Sequence, residues 1–137
     1  MAEGILRSKI KENNLSWQVG SAGTASYHSG DAPDLRAQKE LIKHAIDISK
    51  QRARKFTAYF FEEYDLIFAM DSMNYSDVIR QANSEDEKKK VSLIMNLTEP
   101  GKNTSVPDPY YDDALYPVVY KMLDSACNEL IRKYMKE

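Results

Sequence analysis

Asp108 stands between two prolines in the run Val106-Pro107-Asp108-Pro109-Tyr110-Tyr111-Asp112-Asp113. A proline fixes its own φ and restricts the residue before it, so the backbone around Asp108 is stiff. A carboxyl on such a backbone points in a narrow range of directions, which a general acid requires. The adjacent Tyr110 and Tyr111 offer two aromatic surfaces able to wall a cleft for an aromatic substrate. Asp and Pro are also ordinary turn residues, and spacing alone favours a rigid surface turn. The only thiol is Cys127. It shares a helical face with Leu123, Leu130 and Tyr134, with no glycine-rich anion-binding loop or histidine beside it, and reads as a core residue. His28 and His44 each lack a second ligand at metal spacing, so no metal site is expected. His44 is expected to face the end of a helix, where cations are favoured. Arg52 and Arg54 could meet an anion but read as solvated surface.

These residues must be positioned by regular elements. Ala2, Ile5, Leu6 and Ile10 recur at helical spacing, giving a helix over 2–13 that starts without a side-chain cap. Trp17 to Ala22 reads as a short strand ending in Ser-Ala-Gly-Thr, and Tyr27 to Asp34 as a loop. Asp34 can cap a helix over 35–44, and Thr57 a short one over 57–64, although Tyr59, Phe60 and Phe61 also suit a strand. The continuous apolar run from Tyr64 to Met70 predicts a strand buried on both faces, as in parallel sheets. Asp71 follows it and can cap a helix over 73–82. Residues 83–90 read as a charged linker, 91–95 as a strand and 98–109 as a loop. A final helix runs from near Pro117 to about Met135. Alternating strands and helices imply an α/β fold with a parallel sheet between helical layers. Loops after residues 22, 70 and 95 should then share one rim, at the carboxyl ends of the strands.

Length and composition fit one domain, 1–137, with 42% hydrophobic and 29% charged residues. A net charge of −2 gives no electrostatic case for nucleic acid or an anionic membrane, and no stretch is long and apolar enough for a membrane helix. A lone cysteine and the lack of a secretory signal point to the cytoplasm.

Met-Ala-Glu-Gly-Ile-Leu (1–6), Ser-Ala-Gly-Thr (21–24), Ala53-Arg54, Phe68-Ala69-Met70-Asp71 and Val-Pro-Asp-Pro-Tyr-Tyr (106–111) occur in the order and spacing of low-molecular-weight protein-tyrosine phosphatases. The chain resembles this family along essentially its whole length. The resemblance implies a three-layer α/β/α fold of the phosphotyrosine phosphatase I type with a four-stranded parallel sheet, of which three strands fall in this chain. It also implies a metal-free, cofactor-free mechanism on tyrosine-phosphorylated proteins or peptides. In the family a thiolate from a Cys-x5-Arg-Ser loop attacks phosphorus, and an acid matching Asp108 protonates the leaving phenol. Tyr27, Tyr110 and Tyr111 match positions bordering the cleft. Ser21 matches a serine that supports the catalytic loop, and Asp71 a supporting strand-end aspartate. Family members often carry a histidine near positions 50–51, where this chain has Lys50 and Gln51.

Met1-Ala2-Glu3 resembles the tail of the catalytic loop, so the nucleophile and the strand before it are expected to lie outside the 137 residues. The chain alone is then expected to be inactive, and either marginally stable or repaired by another segment. Strand exchange between two copies in a homodimer is one such repair. A non-catalytic module binding phosphotyrosine partners remains the alternative. An arsenate reductase ranks lower, because that chemistry passes oxidation between several cysteines.

Overall fold

The computed structural model describes residues 1–24 and 29–135. The first apolar stripe forms α1 (Ala2–Glu12), which buries Ile5 and Ile10. Its facing partner is α6 (Leu115–Tyr134), which buries Val119, Leu123, Ala126, Cys127 and Leu130 along one side. Pro117 lies in the first turn of α6, where its missing N–H costs no helical bond. The helix α2 (Leu35–Ile42) packs Ala37 and Leu41 into the same core. Its N-terminus is capped as expected, the Asp34 carboxylate accepting from the Arg36 N–H.

Two short strands, β1 (Ile67–Ala69) and β2 (Val91–Leu93), pair in parallel with Ile67 opposite Val91. Successive side chains of a strand point to opposite faces. Phe68 accordingly packs with Ile5, Cys127 and their neighbours, while Ile67 packs with Phe56, Phe61 and Val78. The second cluster is covered by α3 (Phe60–Glu63) and α4 (Ser72–Ile79). The sheet therefore lies between helices on both faces, the α/β/α arrangement expected from the sequence.

Four of the local expectations change. Residues 17–22 form no ladder; just beyond them, Gly23 makes a parallel bridge with Lys55. A strand exists only through pairing, and the apolar content of Trp17 to Ala22 does not supply it. Residues 83–90 are not a plain linker but contain α5 (Glu85–Lys89). Ser84 Oγ accepts from the Glu87 N–H, and Glu87 Oε1 accepts from the Asn83 N–H, a reciprocal arrangement close to a capping box. The helix expected over 57–64 shortens to α3, entered through a turn in which the Phe60 N–H donates to the Thr57 carbonyl; Thr57 does not cap it. The strand expected over 91–95 stops at Leu93 and tightens into a 3₁₀ turn at Ile94–Leu97.

The α1–α6 seam sets a measurable expectation. Ile5 is 1% exposed. Ile5→Ala should cost about 2–5 kcal/mol in urea unfolding, whereas Lys11→Ala, on the exposed side of α1, should stay within ~0.5 kcal/mol.

Candidate active site

The C-terminal end of β1 gathers three loops. Asp71 leaves the strand and caps α4, its Oδ1 accepting from the Asn74 N–H at 2.7 Å. Asn74 Nδ2 in turn donates to Thr24 Oγ1 at 3.3 Å, tying the loop after residue 70 to the segment after residue 22. The Val106 N–H donates to the Met70 carbonyl at 2.8 Å, and the Ser72 N–H donates to Ser105 Oγ. The loops after 22, 70 and 95 thus share one rim, as the fold class requires.

Buried Val106 anchors the acid-bearing loop two residues before Asp108. Asp108 is exposed and caps a 3₁₀ turn at Pro109–Tyr111, its Oδ1 accepting from the Tyr110 N–H at 3.0 Å. One carboxylate oxygen is fixed by this bond, and Pro109 holds the first position of the turn. Tyr110 and Tyr111 meet edge to face with ring centroids 4.9 Å apart. Both are exposed, Tyr111 at 92%.

The far end of this loop is held by Arg36, whose role the sequence reading missed. Its guanidinium donates to both Asp34 oxygens, to Asp113 Oδ1 and to the Tyr110 carbonyl, the last two at 2.8 Å. It also lies over the rings of Tyr110 and Tyr116, at 5.1 and 5.3 Å from their centroids. The hydrogen bonds from Arg36 hold the Asp34 carboxyl down at about 2. A signal existed in the Asp34-x-Arg36 spacing. Its partners Tyr110 and Asp113 lie over seventy positions away, a distance that only the fold closes.

Ser21 stands on the other side of the rim, its Oγ donating to Glu3 Oε1 at 2.6 Å and so joining its segment to the first turn of α1. Arg54 is not free surface: its Nε donates to the Ser21 carbonyl, and its guanidinium lies 4.7 Å from the Phe60 ring centroid. A Cβ at Gly20 would meet the end of the Arg54 side chain and the Tyr64 hydroxyl, which pack close against the backbone there. Arg52 donates to the Ser49 and Gln51 carbonyls. Tyr27 and His28 lie outside the described residues. His44 follows α2, stacks on Tyr120 with centroids 3.6 Å apart, and meets Glu40 at 3.3 Å. Among the described residues no group of three His, Cys, Asp or Glu side chains could hold a metal, and no helix is long and apolar enough to cross a membrane.

Cys127 is 1% exposed inside the core, and burial pushes its thiol up to about 11. At neutral pH it is protonated and a poor nucleophile.

A parallel sheet between helical layers, with an aspartate-bearing loop hooked to the end of β1, is the α/β arrangement of the phosphotyrosine phosphatase fold. The family model described as low molecular weight phosphotyrosine protein phosphatase matches residues 1–137. The low molecular weight phosphotyrosine protein phosphatase of Homo sapiens is 32% identical over 97% of this chain and 85% of its own length. That of Dictyostelium discoideum is 36% identical over 82% of this chain and 73% of its own length. A protein tyrosine phosphatase from Entamoeba histolytica superimposes with a TM-score of 0.90 at 31% identity, covering 98% of this chain and 87% of that one. The chain belongs to the low molecular weight phosphotyrosine protein phosphatase family.

The depressed Asp34 carboxyl carries a pH dependence. A group whose folded pKa lies below its unfolded value stabilises the fold above the unfolded pKa. That contribution is lost as pH falls from about 4 through about 2. Asp34→Asn should flatten this part of the acid-unfolding profile. The effect should be modest, because the pair is partly exposed and screened. Cys127 should also react with a thiol reagent only in urea; rapid labelling of the native chain at neutral pH would contradict its buried placement.

Proposed function

We propose that the protein hydrolyses phosphotyrosine in proteins or peptides, with Asp108 as general acid and then general base. The nucleophilic cysteine comes from a segment outside residues 1–137. The observation that carries this reading is the fixed, exposed carboxylate of Asp108, capped onto the Pro109–Tyr111 turn beside two exposed tyrosine rings. Family membership supplies the reaction class.

In the first step a thiolate attacks phosphorus and the bond from phosphorus to the phenolic oxygen breaks. The phenol is a poor leaving group as its anion, with a pKa of about 10, so Asp108 gives its proton to that oxygen. A phosphocysteine results. In the second step water attacks phosphorus, the Asp108 carboxylate takes its proton, and the thiolate departs with phosphate released. One residue serves both steps because the first leaves it deprotonated.

Tyr110, Tyr111 and Tyr27 border the substrate in this reading, the exposed rings of the first two offering aromatic surface to a phenyl phosphate. Ser21 and Asp71 support from the rim through Glu3 and Asn74. Cys127, protonated and enclosed, takes no part.

The test is hydrolysis of a chromogenic aryl phosphate, in chelator and at mildly acidic pH. Residues 1–137 are compared with the same chain extended upstream by a strand and a Cys-x5-Arg-Ser loop. Turnover is expected from the extended protein alone, and Asp108→Asn should lower it by ~10²–10⁴. Comparable turnover by residues 1–137, or an Asp108→Asn protein at full rate, would overturn the assignment. An extended protein that binds aryl phosphates without turnover would make this a binding module instead.

A further inference from the structure

Residues 107–114 carry Asp108 and two exposed tyrosines, yet the hydrogen bonds they make among themselves are short-range. Asp108 Oδ1 accepts from the Tyr110 N–H, the Asp112 N–H donates to the Pro109 carbonyl, and Asp112 Oδ1 accepts from the Ala114 N–H. Such bonds fix the carboxylate relative to the Pro109–Tyr111 turn. They do not fix the turn relative to the sheet. Pro107 and Pro109 stiffen the stretch without tying it to another element. Upstream, the nearest attachment is the Val106 amide on the Met70 carbonyl. Among the described residues, the hydrogen bonds that reach 107–114 from a distant part of the chain all come from Arg36.

The guanidinium is itself aligned before it meets the loop. Its Nε and Nη2 fork onto the two Asp34 oxygens at 3.0 and 2.8 Å, and it lies over the ring of buried Tyr116. With the plane so held, Nη1 faces the loop and donates at 2.8 Å both to the Tyr110 carbonyl and to Asp113 Oδ1. Tyr110 is the link. Its carbonyl accepts from Arg36 and its N–H donates to Asp108, so two hydrogen bonds separate the guanidinium from the carboxylate. A lysine lacks this geometry, because an ammonium has no planar fork to grip Asp34 on one side and present a donor on the other. Placement matters at this scale: a shift of about 1 Å in a reacting group can cost ~10²-fold in rate.

We infer that Arg36 is a positioning residue for the acid: it places the Pro109–Tyr111 turn and, through Tyr110, aims the Asp108 carboxylate. The inference rests on Asp108 being the acid and goes beyond that assignment by naming what aims it. The effect is geometric, not electrostatic, because the guanidinium charge is already matched by Asp34 and Asp113.

The measurement is kcat/KM for phenyl phosphate in the protein carrying its upstream strand and Cys-x5-Arg-Ser loop, across a double-mutant cycle of Arg36→Gln and Asp108→Asn. Arg36→Gln alone should lower it about tenfold or more. Arg36→Lys, which keeps the charge and loses the fork, should fall as far. In the Asp108→Asn protein, adding Arg36→Gln should change it by less than about twofold, since no acid is left to aim. In residues 1–137, amide exchange at Tyr110 should rise about fivefold or more in Arg36→Gln, with the core amide of Leu123 unmoved. If Asp108→Asn costs nothing, the acid assignment falls and this inference with it. If Asp108→Asn costs its full factor while Arg36→Gln costs little, this inference alone falls. Equal losses from Arg36→Gln with and without Asp108 also overturn it and leave Arg36 a purely structural contact. Full activity in Arg36→Lys overturns the geometric account and makes charge the cause.

Discussion

The pairing of Ile67–Ala69 with Val91–Leu93 is the constraint on which the other contacts rest. It orients Phe68 toward one apolar cluster and Ile67 toward the other, so a three-residue strand divides the interior into two layers. The same strand ends at Met70, whose carbonyl receives the Val106 amide, and at Asp71, whose carboxylate starts α4. A shift of one residue in its register would exchange its faces and displace both attachments at once. The loop that carries Asp108 is therefore tied to sheet geometry through the Met70 carbonyl.

That loop is held at two ends by different physics. At Val106 the hold is apolar burial and a backbone hydrogen bond, insensitive to salt. At Arg36 the hold is a partly exposed guanidinium shared among Asp34, Asp113, a carbonyl and two rings. Charge-assisted bonds at a surface are directional but screened. Between them the Asp108 carboxylate caps its own turn, so its direction is encoded locally by Pro107, Pro109 and one amide.

Features that depend on neighbouring residues were legible in the sequence. Asp34 and Asp71 announce their helices because a cap acts within two or three positions. Cys127 announces the core because its stripe on α6 repeats at helical spacing. The motifs around 21–24, 68–71 and 106–111 carried the family. Features that depend on closure were not legible. The apolar run of Trp17 to Ala22 suits a strand, yet a strand is a property of two segments. Residues 85–89 have no apolar stripe, and their helix rests on Ser84 and Glu87 caps in a charged sequence. Arg36 could not be assigned until the chain returned to it after some seventy residues.

Cys127 has a consequence for oxidative chemistry. Peroxides oxidise thiolates, and susceptibility follows ionisation and exposure. A thiol pushed up to about 11 and closed off between α1 and α6 offers neither. Cys127 is accordingly silent toward peroxide at neutral pH. In a phosphatase that draws on an ionised cysteine, thiol oxidation would then pass Cys127 by and fall on the working sulfur.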